Sequence, residues 1–238
     1  MARKNKINTK LELLHIALHL FMVKGYTNTS VSDICNEIGV SKGIVAFHFH
    51  TKEHLLAELI HMLCDFQWKM MEREAEEGKS SLVAYLLELA TMASVCDENP
   101  VAKDLYVSAY IHPMSLQIIR KNDTRKARNV FSEYCKDWQE NDYREAENIV
   151  SGIEYSMFMK ENTETLSLEQ RIASSLDGVM KIYELPKEIR QKKIEKVMSM
   201  NYSEIGRNIL QEFTKYVEER SMQELMKANK KPKGDVSK

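Results

Sequence analysis

The stretch 30–55 constrains the fold of this chain more than any other, because it predicts two short helices and a tight turn between them. Ser30 and Asp33 have the spacing of a capping box, which indicates that a helix begins directly after Ser30. Gly39 supplies the backbone freedom that such a turn needs. Ser41 then predicts the start of a second short helix, because serine is a favoured helix N-cap.

A supporting helix is predicted before this stretch. Its apolar residues recur at intervals of four and three, the spacing of one helix face: Ile7, Leu11, Leu14, Leu18 and Phe21. Asn8 or Thr9 can cap its start, and Lys24 followed by Gly25 is typical of a helix end. A further helix, capped by Thr51 and ending near residue 78, is predicted to follow the turn unit.

Composition favours an all-α chain. The 238 residues include only eight glycines and four prolines, so long uninterrupted elements are expected. No run of about 18 apolar residues predicts a membrane span, and the basic N-terminus lacks the apolar core of a secretory signal. The four cysteines show no CxxC pair and are expected to be reduced thiols of a cytoplasmic protein.

The remainder of the chain is predicted to form a larger helical body. Apolar periodicity and caps predict helices over 81–96, 100–112, 116–138, 143–160, 168–185, 186–200 and 202–228. We therefore divide the chain into an N-terminal domain (1–55), a helical domain (56–228) and a polar, basic tail (229–238).

One combination of residues closely resembles a known family. In order, the sequence has Leu18-x-x-Phe21-x-x-x-Gly25-Tyr26, Thr29-Ser30-Val31, Ile34-x4-Gly39-Val40-Ser41-Lys42-Gly43 and Phe47-x-Phe49-x-Thr51-Lys52-Glu53-x-Leu55. This pattern, over about residues 7–57, resembles the DNA-binding domain of the TetR family of bacterial transcription regulators. The resemblance implies a three-helix helix-turn-helix domain, a larger ligand-binding and dimerisation domain, and a homodimer that binds a palindromic operator and usually represses.

The resemblance also implies which residues contact double-stranded DNA. Its recognition helix corresponds to residues 42–48. Ser30, Ser41 and Lys52 are expected to hold phosphate, with Gly43 in the first turn after Ser41. Lys42, Ile44, Phe47 and His48 are expected to face the major groove or its walls.

One position departs from the family. Ala46 stands where the family commonly has a tyrosine that contacts phosphate, and Phe47 after it also lacks a hydroxyl group. The recognition helix is therefore unusually apolar. Either contacts to thymine methyl groups and DNA shape provide much of the specificity, or operator binding is weak.

The histidines near the turn unit admit two readings. His48, His50 and His54, with His61 two turns later, could bind zinc or copper. Alternatively, His48 is a residue of the recognition helix and His50 and His54 are solvated. We favour the second reading and predict no metal, cofactor or catalytic residue.

The helical body contains many methionines and aromatic residues, which suit an adaptable apolar pocket. The residues predicted to bind a small apolar or amphipathic effector are Tyr106, Tyr110, Met62, Phe66, Met92 and Tyr155. Ordinary core packing is the alternative for each of them.

Two apolar stripes are candidates for the dimer interface. One comprises Ile149, Val150, Ile153 and Met157, with Gly152 permitting a close approach. The other comprises Ile205, Ile209, Phe213 and Tyr216. Each stripe could equally belong to the core of a single chain.

The sequence therefore predicts a ligand-responsive transcription regulator. The formal net charge is only -1, but the first 55 residues have seven Lys or Arg side chains against four acidic ones, which suits contact with phosphate. The alternatives are an interaction adaptor with weak or lost operator binding and a histidine-cluster metal protein. No motif for an enzyme is present.

Overall fold

The fold consists of α-helices throughout the part of the chain that the structure describes. This computed structural model describes the backbone over 6–75, 81–159 and 166–230 and side chains over 10–75, 81–159 and 166–223. The N-terminal helices are α1 (Lys6–Lys24), α2 (Val31–Ile38), α3 (Lys42–His48) and α4 (Lys52–Ala75). The body adds α5 (Leu82–Glu98), α6 (Pro100–Ile111), α7 (Pro113–Phe131), α8 (Glu140–Phe158), α9 (Leu168–Ile182), α10 (Lys187–Met198) and α11 (Tyr202–Lys230). The all-α prediction is confirmed, and none of the described helices is both long and apolar enough to cross a membrane.

The turn unit has the predicted geometry. The Ser30 hydroxyl accepts a hydrogen bond from the Asp33 backbone N–H (3.1 Å), and the Asp33 carboxylate accepts one from the Ser30 N–H (2.8 Å). This reciprocal pair confirms the capping box. Gly39 has φ 71° and ψ 37°, the left-handed conformation that ends α2 and turns the chain toward α3.

Several predicted helix boundaries were wrong. Backbone hydrogen bonding starts α1 at Lys6, before the expected caps. The helix predicted over 116–138 begins at Pro113, whose fixed φ suits a first helical residue, and ends at Phe131. There the ring of Phe131 stacks on that of Tyr183 at 4.0 Å, and Cys135 Sγ donates to the Tyr183 carbonyl, so tertiary contacts hold the chain in turns. The ends predicted near 78 and 160, and the tail beyond 230, lie outside the described residues.

Helix α5 lies at the centre of the body. Every residue from Leu82 to Cys96 is buried, and helices from the first half and the last half of the chain pack around it. A helix that is apolar on all sides can only be an inner helix. The helices that pack around α5 therefore form the core of the body.

The last helix joins the two parts of the chain. Helix α11 packs along α1 and α5 and also contacts α4. Ile209 and Phe213 on its inner face are buried, and the Phe213 ring lies 5.6 Å from that of Phe66 on α4. This corrects the expectation that the α11 stripe forms a dimer interface, because its central residues pack within the same chain.

Gly206 allows the close crossing of α11 and α5. A Cβ atom added at this position would lie 2.8 Å from Val95 Cγ2 and 2.9 Å from the Thr91 carbonyl oxygen. Nearby, the Ser94 and Ser203 hydroxyls hydrogen bond at 2.6 Å. Because a backbone oxygen cannot move without displacing its helix, no larger residue fits at Gly206.

We predict that Gly206→Ala lowers the free energy of unfolding by about 1–3 kcal/mol, because the added methyl group overpacks the crossing. Urea unfolding followed by circular dichroism measures it. Asn208→Ala, on the exposed side of the same helix, is the matched control and is expected to be near neutral. Equal stability of the Gly206→Ala variant and the wild type would contradict the close crossing.

Candidate DNA interface and effector cavity

Helix α3 presents an exposed outer face and buries its inner one. Val45 and the following Phe49 are buried, which fixes the helix to the core of the N-terminal domain. On the outer face Ile44 is 41% exposed and Phe47 61%, an unusual exposure for large apolar side chains. These two side chains give the outer face of α3 a candidate contact surface for a partner.

The polar residues predicted at the interface lie around this face. Lys42, Gly43 and Ser41 are exposed. The Ser41 side chain makes no capping hydrogen bond, so its hydroxyl is not used to hold α3. The Ser30 hydroxyl, in contrast, also donates to the Asp33 carboxylate (2.8 Å) and already belongs to the α2 cap. Ser41 is therefore better placed than Ser30 to contact phosphate.

Lys52 points into the protein instead of toward solvent. Its ammonium group donates to the Tyr26 carbonyl oxygen (2.8 Å) and lies 4.1 Å from the centre of the Tyr26 ring. Burial lowers the pKa of Lys52, while the charges of Glu53 and Asp104 act in the opposite direction. A phosphate contact by Lys52 would require these internal contacts to break, so this placement differs from the sequence prediction of a free phosphate ligand.

The histidines do not form a metal-binding group in this geometry. His48 is half-buried, with its ring 5.1 Å from that of Phe47. His50 and His54 pack edge to face at 5.6 Å, and His54 Nδ1 lies 3.0 Å from the Thr51 hydroxyl. Within 6–75, 81–159 and 166–230 no three His, Cys, Asp or Glu side chains are placed to hold one metal ion.

A joint around the buried Tyr26 connects the N-terminal domain to the body. The Tyr26 ring packs against His112, at the start of α7, with ring centres 5.3 Å apart. The Asp104 carboxylate on α6 accepts hydrogen bonds from the Thr27 backbone N–H (2.8 Å) and hydroxyl group. With Lys52 held on Tyr26, this joint ties the loop after α1 to the first turns of two body helices.

A cavity lies in the body between α4, α5, α6, α7 and α8. Its volume is about 30 Å³, enough for about one water-sized group. The predicted effector residues Tyr106, Tyr110 and Met92 line it. Its apolar wall is completed by Ile60, Leu63, Leu89, Ala109 and Ile119.

The other three predicted effector residues do not line this cavity. Met62 is buried but lies on a different side of α4 from the residues that line the cavity. Phe66 packs on Phe213 and Tyr216 of α11. Tyr155 is half-buried on α8 and does not reach the cavity.

The sequence analysis missed the charged residues of the cavity. Glu88, Asp123, Lys126 and Glu154 all line it and are all buried. The sequence did contain a signal for Glu88. It is the only charged side chain between Leu82 and Cys96, in a helix that is otherwise apolar on all sides, so its burial could have been predicted. Lys126 lies in a basic stretch that resembled a solvated surface, and its burial was not predictable from its neighbours.

A second group of buried polar side chains adjoins the cavity. The Glu147 carboxylate accepts hydrogen bonds from Tyr85 (3.5 Å) and Tyr183 through one oxygen, and its other oxygen has no partner among the described residues. Burial and the charge of Asp123 raise the pKa of Glu147 to about 8. This carboxyl group therefore keeps its proton at neutral pH.

The geometry of the N-terminal helices defines a helix-turn-helix DNA-binding domain. Residues 13–59 match the family model described as bacterial regulatory proteins, tetR family. The N-terminal helices therefore match the DNA-binding domain of the TetR family of transcriptional regulators, as the resemblance in the sequence predicted.

Individual transcription regulators are similar to part of the chain. The uncharacterized HTH-type transcriptional regulator YuxN of Bacillus subtilis is 32% identical over 80 residues, 34% of this chain and 28% of YuxN. The HTH-type transcriptional regulator AcrR of Shigella flexneri is 37% identical over 62 residues, 25% of this chain and 29% of AcrR. The HTH-type transcriptional repressor AcnR of Corynebacterium jeikeium is 32% identical over 79 residues, 33% of this chain and 40% of AcnR.

Each of these three matches covers less than half of the relative. The chain spans between 28% and 61% of the length of the curated relatives that it matches. Their names describe regulators of transcription and not enzymes. The body of the chain, which contains the cavity, therefore has to be interpreted from its own geometry.

We predict that Glu147 makes the protein less stable as the pH rises from about 5 to 8. The folded protein keeps the Glu147 proton up to about pH 8, while the unfolded chain loses it near the ordinary carboxyl pKa of 4.5. Between these values folding takes up a proton, so the free energy of unfolding falls with rising pH, by at most about 1.4 kcal/mol per pH unit. Glu147→Gln removes this dependence.

Urea unfolding at several pH values measures the effect as a difference between variant and wild type. Glu145→Gln changes an exposed residue of the same helix, and its profile should follow that of the wild type. Parallel profiles for Glu147→Gln and the wild type would show that the Glu147 carboxyl group titrates normally.

Proposed function

We propose that this chain is a ligand-responsive repressor that acts in the cytoplasm as a homodimer on a palindromic operator. A small molecule bound in the body releases the operator. The single observation that carries this proposal is that helix α6 contacts both functional regions. Asp104 holds the loop after α1, and Tyr106, two residues further along α6, lines the cavity.

The coupling follows from the stiffness of a helix. A molecule larger than one water-sized group must displace side chains that line the cavity, including those of α6, because its volume is only about 30 Å³. Movement of α6 acts on Thr27 through Asp104 and on the Tyr26 joint. The protein is then in equilibrium between a DNA-binding form and a form in which α6 is displaced. An effector shifts this equilibrium only to the extent that it binds the displaced form more tightly.

The apolar recognition helix indicates how the operator is read. Ile44 and Phe47 are exposed and offer no hydrogen bonds, so Lys42 is the polar side chain of α3 best placed to reach DNA. We expect contacts to thymine methyl groups and DNA shape to contribute much of the specificity. If the chain is instead an adaptor without an operator, selection from a random DNA pool will recover no palindromic sequence.

We predict that Lys42→Ala weakens operator binding and lowers its salt dependence. Loss of one phosphate contact reduces the slope of log K against log salt concentration by about 0.9. Titration of the selected operator by fluorescence anisotropy between low and physiological salt measures both quantities. The matched control Lys69→Ala removes an exposed lysine of α4 and should leave the slope unchanged.

Lys52→Ala distinguishes an internal lysine from a DNA contact. If Lys52 holds the Tyr26 joint, this variant lowers the melting temperature while Lys42→Ala does not. A normal melting temperature with a reduced salt slope for Lys52→Ala would instead place its ammonium group on phosphate, as the sequence predicted. If the affinity of the wild type for DNA does not change with salt concentration, operator binding itself is contradicted.

We propose that α8 and α9 form the dimer interface. Ile149 is 59% exposed, and the neighbouring Gly152 is exposed with open space around it. On α9 the half-buried or exposed residues beside them are small, among them Ser174 and Gly178. Val150 and Met157 of the predicted stripe are buried in the chain itself, so only the Ile149 side of α8 is free to face a second copy.

We predict that Ile149→Asp converts the dimer to a monomer, because two carboxylates would be buried near the symmetry axis. Sedimentation velocity measures the change. Val23→Asp is a closely matched control, since Val23 on α1 is 60% exposed. A dimer that survives Ile149→Asp would show that another surface forms the interface.

A further inference from the structure

The cavity enclosed by α4, α5, α6, α7 and α8 is lined by more buried carboxyl groups than cations. Glu88, Asp123 and Glu154 line it with exposed fractions of 7%, 8% and 2%. Lys126, 5% exposed, is its only lining cation. The Lys126 ammonium lies 2.7 Å from Glu88 and 3.1 Å from Asp123. One ammonium therefore serves two carboxylates, and the third has no cationic partner.

Glu154 is the carboxyl group without a cationic partner in the cavity. The Tyr110 hydroxyl donates to its Oε2 atom (2.8 Å), and no described side chain donates to its Oε1 atom. Burial, with the charges of Asp123 and Glu147, raises the pKa of Glu154 well above its ordinary value. No cation compensates the charge of this carboxylate, so its surroundings favour the protonated form.

Two more polar side chains in the cavity have no hydrogen-bonding partner within the described parts of the chain. They are the Gln67 amide, on a residue only 3% exposed, and the Tyr106 hydroxyl, on a residue 4% exposed. Buried polar groups normally form hydrogen bonds, so these two side chains are available to bind a polar ligand. With Glu154 they provide three oxygen atoms that can accept hydrogen bonds.

We infer that this cavity binds the ammonium head of an apolar amine, with Glu154 as its counter-ion. An ammonium group is about the size of the available space and can donate to the oxygens of Gln67, Tyr106 and Glu154. An anion would lie beside three carboxyl groups, which repel it. A neutral group would leave the uneven charge of the cavity unchanged.

The surrounding side chains suit the rest of such a molecule. Tyr85, Tyr106 and Tyr110 place aromatic rings around the head, which favours a cation. Aliphatic side chains of α4 and α5 can contact a hydrocarbon tail once the helices separate: Ile60, Leu63, Leu89 and Met92. This identifies the chemical class of the effector and rests on the proposed function only for its effect on DNA.

Binding of a cation should release a proton. The positive charge of the amine stabilises the ionised form of Glu154, so its carboxyl group loses a proton as the ligand enters. The amine therefore binds more tightly as the pH rises. The titratable and charged groups that face Glu154 are Cys64 on α4, Tyr85 and Glu88 on α5, Tyr110 on α6, Asp123 and Lys126 on α7, Glu147 on α8 and Tyr183 after α9.

The experiment compares three probes with the same tail: hexylamine, 1-hexanol and hexanoate. Isothermal titration calorimetry of the full chain measures their affinity, and repeating it in buffers of different ionisation enthalpy measures proton release. We expect hexylamine to bind about ten-fold or more tightly than 1-hexanol, hexanoate to bind weakest, and about one proton to be released per amine.

Glu154→Gln is expected to reduce hexylamine affinity about ten-fold and to abolish proton release, while affinity for 1-hexanol stays the same. Glu145→Gln, on the exposed side of α8, should behave as the wild type. If Glu154→Gln does not fold, Gln67→Met keeps the shape of the cavity and should weaken hexylamine binding several-fold. Equal binding of amine and alcohol, or no binding of any probe, overturns the inference.

Operator release is measured separately, so the two proposals can fail independently. Amine that binds with proton release but leaves operator affinity unchanged would support the cation site and contradict its role as the effector cavity. Operator release by 1-hexanol or hexanoate, without amine binding, would support the proposed function and overturn the amine assignment.

Discussion

The burial of α5 on every side is the constraint on which the rest of the structure depends. Its apolar surface, from Leu82 to Cys96, has to be covered by other helices, and this requirement places α4, α7 and α11 around it. Glu88 interrupts that surface, and a buried carboxylate needs a partner. Lys126 supplies it from α7 and keeps its charge, because the neighbouring carboxylates outweigh the lowering of its pKa by burial. One apolar helix thus determines both the core and the charge of the cavity.

Local signals in the sequence predicted the parts of the fold that local interactions control. The Ser30–Asp33 capping box and the left-handed Gly39 act within a few residues, and both were predictable for that reason. The end of α7 at Phe131 was not, because it depends on a stack with Tyr183, far along the chain. The same distinction applies to the site. The exposed face of α3 followed from spacing, whereas the inward turn of Lys52 depends on the Tyr26 carbonyl.

Charge is used differently in the two functional regions. At the DNA interface the exposed side chains are mostly apolar, so attraction to DNA depends on few cations and on close fit. In the body the charges are buried, where each interaction is stronger and each unmatched group more costly. Under the proposed function, the ligand is recognised mainly by charge and the operator mainly by shape. The proposed selectivity of the cavity therefore does not require a polar recognition helix.

In the proposed function, the joint around Tyr26 connects the small cavity to the DNA-binding helices. Asp104 and Tyr106 are two residues apart on α6. Because a helix is stiff, a displacement of one residue also moves the other. The loop after α1 has several simultaneous contacts at this joint: Asp104 with Thr27, His112 with Tyr26, and Lys52 with the Tyr26 carbonyl. Packed contacts of this kind change between discrete arrangements instead of deforming gradually. Helix α11 packs along α1 as well as α5, so the N-terminal domain is held to the body at two places and cannot turn unless both contacts adjust.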